Sequence, residues 1–271
     1  MSLKDEITKT GLSPYDIGQI AMACDAVYEY LGESLIAVHL YGSTLEAGGL
    51  KPYSDIDLFV TVDTFLTDHV REQLMHAFLS HSALPGTDPR LRALEVTIVN
   101  YQDINPWRYP PKREMQFGEW LRDDIQNGVF EPAVTDIDLT VILKKIRIAS
   151  ISIIGQNASE LFEPIPDDDF IKVLQETMLI WNSEEDWSGD ERNVLLTIAR
   201  IWYSAATGEI SSKEEAAIWL IDKIPLEYHS LILKARSDYL LGNNEDFGSN
   251  SKEIEAFVNF AKYTINQIIK T

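Results

Sequence analysis

Helical and strand-like patterns alternate in the first half of the chain, and helical patterns alone fill the second. Residues 15–31 read as a helix, and Ser34 to Tyr41 (SLIAVHLY) is a short apolar run stopped by Gly42, which predicts a strand. Asp55 to Val62 predicts a second strand. Residues 67–80 predict a helix, ended by the turn-rich Leu84-Pro85-Gly86-Thr87-Asp88-Pro89. Arg92 to Asn100 is a third strand pattern. Pro106, Pro110 and Pro111 then break the chain, and residues 113–127 predict a helix closed by Gly128.

From about Asp136 onward only helices are expected. Val194, Leu195, Ile198, Ile201, Trp202 and Ala205 recur at spacings of three and four, as do Ile254, Phe257, Val258, Ala261, Ile265 and Ile268. Ser211 with Glu214 reads as a capping box opening another helix. Pro164 and Pro166 mark a boundary region near 155–166. The expected fold class is α+β: an α/β domain with a small mixed sheet over 1–157, then an all-α bundle over 158–271. Ligand sites often form between such domains, so the site is expected in the cleft between them.

The net charge of −20, from 43 acidic against 23 basic residues, narrows the partners. Nucleic acid calls for basic surface to displace counterions, so no nucleic-acid partner is expected. An acidic cleft instead concentrates small cations. One cysteine, Cys24, allows no disulfide framework and reads as a small buried apolar residue. The opening MSLKDEITKT lacks the apolar core of a signal peptide, and no apolar run approaches a membrane span. A cytoplasmic monomer away from membranes is expected.

The chemistry concentrates in Tyr41-Gly42-Ser43 and Asp55-Ile56-Asp57. Glycine at a strand end lets the backbone turn sharply and approach an anion. Peptide N–H groups there, with the Ser43 hydroxyl, can hold phosphate oxygens. Asp55 and Asp57 are two apart on a strand, so both leave one face, while Ile56, Leu58 and Val60 enter the core. Two carboxylates suit Mg²⁺, which takes substrate phosphates as further ligands. In Arg92 to Val99, Glu95 faces away from Leu94, Val96 and Ile98. If this strand pairs beside the aspartate strand, Glu95 joins the two acids. It would then either help bind two metals about 3.5–4 Å apart or deprotonate an attacking hydroxyl as general base.

Several longer stretches carry a family resemblance. His39-Leu40-Tyr41-Gly42-Ser43, Gly48-Gly49-Leu50-Lys51-Pro52, Ser54 to Leu58, Leu94 to Thr97, Pro110 to Glu114, Gly118 to Arg122 and Asp190 to Asn193 resemble the aminoglycoside adenylyltransferases of the nucleotidyltransferase superfamily. The similarity spans about residues 35–240. The nearest pattern is that of the streptomycin/spectinomycin enzymes, which modify the 3″-hydroxyl of streptomycin and the 9-hydroxyl of spectinomycin. One extra residue stands between Ser43 and Gly48 compared with that pattern.

The resemblance implies an ATP-dependent transfer of AMP to a small cationic drug, with two Mg²⁺ ions. Asp55, Asp57 and Glu95 would bind metal, and Glu95 would be the catalytic base. Gly42, Ser43, Ser54, Asp138, Arg200, Lys213 and Tyr239 would contact ATP. Glu95, Trp120, Trp181, Asp186, Asp190 and Asn193 would contact the drug. Asp190 also reads as the N-cap of the helix 191–206. Spectinomycin-only relatives lack the tryptophan at position 181, so both drugs are expected as substrates. The rival readings are a spectinomycin-only enzyme and a non-catalytic binding module on the same fold. An RNA nucleotidyltransferase conflicts with the charge.

Overall fold

The computed structural model describes residues 12–46, 49–51, 53–242 and 246–270, so Gly48 and Pro52 of the loop motif lie outside the described residues. The chain divides into two compact units, 1–165 and 166–271.

The first unit opens with α1 (Pro14–Leu31), whose N-cap Ser13 and Asp16 form a capping box ahead of Pro14. A five-stranded sheet follows from β1 (Leu35–Tyr41), β2 (Ile56–Val62), β3 (Leu94–Asn100), β5 (Met115–Phe117) and β7 (Ile151–Ile154), in the order β5-β3-β2-β1-β7. The β2–β3 pair is parallel, and the other pairs are antiparallel. The crossover between the parallel strands is α2 (Asp68–Ser80). Two short strands, β4 (Lys112–Arg113) and β6 (Val134–Thr135), pair separately. A helix α3 (Leu139–Ile148) precedes β7.

One face of the sheet is the core. Val38, Leu40, Leu58, Val60, Val96, Ile98 and Phe117 pack there against Ile20, Ala23 and Val27 of α1 and Leu74, Met75 and Phe78 of α2. Cys24 is half-buried against this cluster, and burial pushes its thiol pKa up to about 12. The other face carries Tyr41, Asp57, Glu95, His39 and Phe59, because side chains alternate along each strand.

Two expectations about this unit fail. Residues 113–127 are not one helix: Met115–Phe117 form the edge strand, Glu119–Leu121 make a 3-10 turn, and only Arg122–Gln126 are α-helical before Gly128. The ladder to β3 and the full burial of Met115 and Phe117 override local helix preference. The second half is also not purely helical, since Ile151–Ile154 adds β7 alongside β1. The boundary expected at 157/158 compares with a division after Ile165. The Phe162 ring packs on His39 and Phe59, which ties residues 158–162 to the sheet.

The second unit is built from α4 (Asp167–Met178), α5 (Glu191–Thr207), α6 (Lys213–Ile221), α7 (His229–Leu241) and α8 (Ser251–Ile269). The central helix α5 packs against the other four. Its Val194, Leu195, Ile198, Ile201 and Trp202 are buried, as are Ile254, Phe257, Val258, Ala261 and Ile265 of α8. The capping box opening α6 is Ser212 with Glu215, one residue later than the Ser211–Glu214 pair expected. Glu214 instead pairs with Arg236 of α7 at 2.7 Å.

Candidate active site

Three strands bring a polar row onto the face away from the α1–α2 core. Tyr41 is the register partner of Asp57, and Asp57 is the register partner of Glu95. Asp57 and Glu95 are both partly exposed, whereas Tyr41 is buried. Burial and the charges of Asp57, Glu95 and then Asp136 push the Tyr41 phenol well above its ordinary pKa.

Gly42 fixes where Asp57 lies. It has φ 76°, and a Cβ built there would fall 1.8 Å from Asp57 Oδ2. Both the backbone angle and the close carboxylate require glycine. Ser43 follows in a 3-10 turn, Gly42–Leu45. Asp55 sits one residue ahead of β2 and is partly exposed.

The loop entering β2 is held by Arg92, which the sequence marked only as a strand start. Arg92 donates to the carbonyls of Lys51 at 2.8 Å and Ser54 at 3.1 Å, and to Asp16 Oδ1 at 2.7 Å. The Ser54 hydroxyl accepts from the Lys51 N–H. Burial pushes the Asp16 carboxyl up, but the bonds from Ser13 and Arg92 hold it below its ordinary range.

Trp120 is displayed rather than packed. Its neighbours Glu119 and Leu121 are buried, while Trp120 is 59% exposed. Glu119 accepts from Ser82 and from Arg122, which anchors the turn beside the start of β3, where the Leu94 N–H donates to Ser82. The Trp120 ring lies over Gly118, where a Cβ would meet it at 2.2 Å. Asp138 occupies the exposed N-cap position of α3 without a side-chain cap bond, and its N–H donates to Asp136.

In the second unit the structure joins four expected residues into one cluster. Asn193 donates to Asp190 at 2.6 Å and accepts from Lys213 Nζ at 3.2 Å, and Lys213 lies 5.3 Å from the Tyr239 ring centroid. Asp190 does occupy the N-cap position of α5, but its side chain makes no cap bond, being engaged by Asn193. Arg200 stands on the same helix, two turns beyond Asn193.

Trp181 and Asp186 form a separate group in the loop before α5. Trp181 is buried to 8% exposure. Asp186 is exposed and accepts from the N–H groups of Asn182 at 2.7 Å and Ser183 at 2.8 Å, which hold its pKa down. Lys262 donates to the Trp181 carbonyl and to Asn182 Oδ1.

Among the described residues, no three His, Cys, Asp or Glu side chains gather closely enough to cage a metal alone. The donor chemistry of the Asp57–Glu95 pair nevertheless fits Mg²⁺. That cation commonly takes one or two protein carboxylates and completes its shell with water and substrate phosphates.

Residues 160–264 match the family model described as aminoglycoside adenylyltransferase, C-terminal domain. An aminoglycoside (3″)(9) adenylyltransferase of Klebsiella pneumoniae is 49% identical over 251 residues, covering 93% of this chain and 95% of that protein. The chain belongs to the aminoglycoside adenylyltransferase family. It is an enzyme of the nucleotidyltransferase class. A spectinomycin 9-adenylyltransferase of Staphylococcus aureus is 36% identical over 241 residues, covering 88% of this chain and 91% of that protein. The crystal structure of the spectinomycin adenyltransferase AAD(9) from Enterococcus faecialis with ATP and spectinomycin superposes with a TM-score of 0.83 at 30% identity. It covers 92% of this chain and 99% of that one. No described helix is long and apolar enough to cross a membrane.

Proposed function

We propose that this adenylyltransferase moves AMP from ATP to the 3″-hydroxyl of streptomycin and the 9-hydroxyl of spectinomycin, releasing pyrophosphate and conferring resistance. The observation that carries the reading is the alignment of Asp57 opposite Glu95 beside the Gly42 corner. Glu95 accepts the proton of the attacking hydroxyl, whose oxygen bonds to the α-phosphorus as the bond to pyrophosphate breaks. Asp55, Asp57 and Glu95 would hold two Mg²⁺, which when bound neutralise phosphate charge. Gly42, Ser43, Ser54 and Asp138 are candidate ATP contacts, as are Arg200, Lys213 and Tyr239. Arg200 and Lys213 supply charge-assisted bonds to phosphate.

Trp120, Asp190 and Asn193, with Glu95, bind either drug, and Trp181 with Asp186 add the contacts that admit streptomycin. Carboxylates bind its guanidinium groups bidentately, and a tryptophan face adds cation–π attraction of roughly 0.5–2 kcal/mol. The enzyme acts as a cytoplasmic monomer without a nucleic-acid partner, in keeping with its charge of −20. The carboxylate of Asp186 already accepts from its own loop, which favours a second reading, spectinomycin alone as substrate. Pyrophosphate release from ATP and Mg²⁺ with each drug separately decides between them. Release with neither drug rejects the proposed activity.

A further inference from the structure

The carboxylate of Glu95 has a neighbour that the sequence patterns did not mark. Gln116 lies on β5 opposite Thr97, on the face that carries Glu95. Its Nε2 donates to Glu95 Oε1 at 3.2 Å. Its own Oε1 accepts from Nη1 of Arg113.

The pairing fixes which way the amide points. A guanidinium only donates and an ionised carboxylate only accepts. A flipped Gln116 amide would set N–H against N–H on one side and oxygen against oxygen on the other. One orientation therefore serves both partners. Arg113 in turn cannot easily leave: its Nη1 lies 2.8 Å from Asp136 Oδ2, and its Nη2 lies 3.3 Å from Glu131 Oε2. Its backbone pairs with Val134 in the β4–β6 ladder, and the Asp136 N–H donates to the Pro111 carbonyl. The chain Asp136–Arg113–Gln116–Glu95 thus runs from a separate two-stranded ladder to the acidic row.

We infer that Gln116 is a positioning residue for the reaction: oriented by Arg113, it engages one oxygen of Glu95 and turns the other toward the substrate hydroxyl. This rests on the reading of Glu95 as the base. An amide is suited to the task because it fixes the carboxylate without contributing a charge that would compete with a cation. Removing such an orienting partner typically costs about 10- to 100-fold in activity.

The test compares Gln116→Leu and Gln116→Glu in full-length enzyme, with spectinomycin, ATP and Mg²⁺. Both are expected to lower kcat by about 10- to 100-fold. The KM for ATP is expected to stay within about twofold, since the effect falls on the acceptor hydroxyl rather than on nucleotide binding. Gln116→Glu is the discriminating variant. It keeps the size of the side chain and strengthens the pairing with Arg113, so a purely structural glutamine would tolerate it. A positioning glutamine would not, because the new carboxylate faces Glu95 with like charge. Wild-type kcat in Gln116→Glu overturns the inference, and so does loss of folding in both variants by thermal melting. Glu95→Gln, assayed in parallel, isolates the other failure: near-normal turnover there rejects the base itself, whatever Gln116 does.

Discussion

Asp57 and Glu95 stand directly across from each other on neighbouring parallel strands, at the end of the sheet where the Gly42 turn also lies. Their Cα positions are fixed by a ladder running from Ile56–Leu94 to Val62–Asn100, so the two carboxylates are held by seven successive strand pairs rather than by a flexible loop. Sites built on strands keep their geometry better than sites on loops. The division of labour between these acids can be tested directly.

Glu95→Gln removes the proposed proton acceptor and leaves the side chain its size. Adenylylation of spectinomycin is expected to fall by about 10²- to 10⁴-fold while ATP binding persists. Nucleotide binding by calorimetry and drug turnover by pyrophosphate release separate the two quantities.

Gly42→Ala places a methyl group where Asp57 Oδ2 now lies, at a residue with φ 76°. Asp57 must swing away. A displacement of that size at a reacting centre costs on the order of 100-fold in kcat/KM. The variant should still fold, since Gly42 ends a strand rather than filling the helix-packed core. Circular dichroism alongside turnover checks both halves of this expectation.

Trp181→Ala is expected to depress streptomycin modification about 2- to 30-fold more than spectinomycin modification, on the cation–π scale. Spectinomycin turnover serves as the internal control for folding, which matters because Trp181 is mostly buried and its carbonyl accepts from Lys262. Equal losses on both drugs would remove the selective role.

Lys213→Met deletes a charge that touches both Asn193 and the Tyr239 ring. The expected result is a rise in the KM for ATP of roughly tenfold, the scale of one charge-assisted bond. A smaller change in drug KM should follow from the lost support of Asn193. Steady-state kinetics with each substrate varied in turn checks the order of these effects.

The Asp16–Arg92 pair gives a pH signature. The Asp16 carboxyl titrates below its ordinary value in the folded chain, so its contribution to stability is present above the unfolded pKa of about 3.9 and is lost as pH falls through the folded value. Asp16→Asn should therefore lower stability by about 1–2 kcal/mol at pH 7, and the gap to the wild type should begin to narrow as pH falls below about 4. Urea titrations at pH 7 and in steps below about pH 4 follow the narrowing.

The mismatched regions have a shared cause. Met115-Gln116-Phe117 is too short to announce a strand against a background of prolines and a longer helix-like stretch. Its identity comes from Val96, Thr97 and Ile98 on β3, which receive it as an edge. Ile151–Ile154 likewise becomes a strand because β1 offers it a partner. Gln116 carries no local signal, and Arg113 stands only inside the Pro110 to Glu114 stretch, because their significance lies in contacts to Glu95 and Asp136 far along the chain.

Local pattern alone determined the long helices, the three central strands and the faces on which Asp57 and Glu95 sit. Alternation along a strand and three-to-four spacing along a helix are properties of a few consecutive residues. Tertiary structure decided that β2 and β3 lie parallel with Asp57 level with Glu95, and that Asp57 rests against Gly42. It also linked Gln116 to Arg113 and Glu95. Strand register is selected by burying whole apolar faces at once, as Leu58, Val96 and Phe117 do against α1 and α2. That choice depends on pairing between distant segments, which no single stretch of sequence encodes.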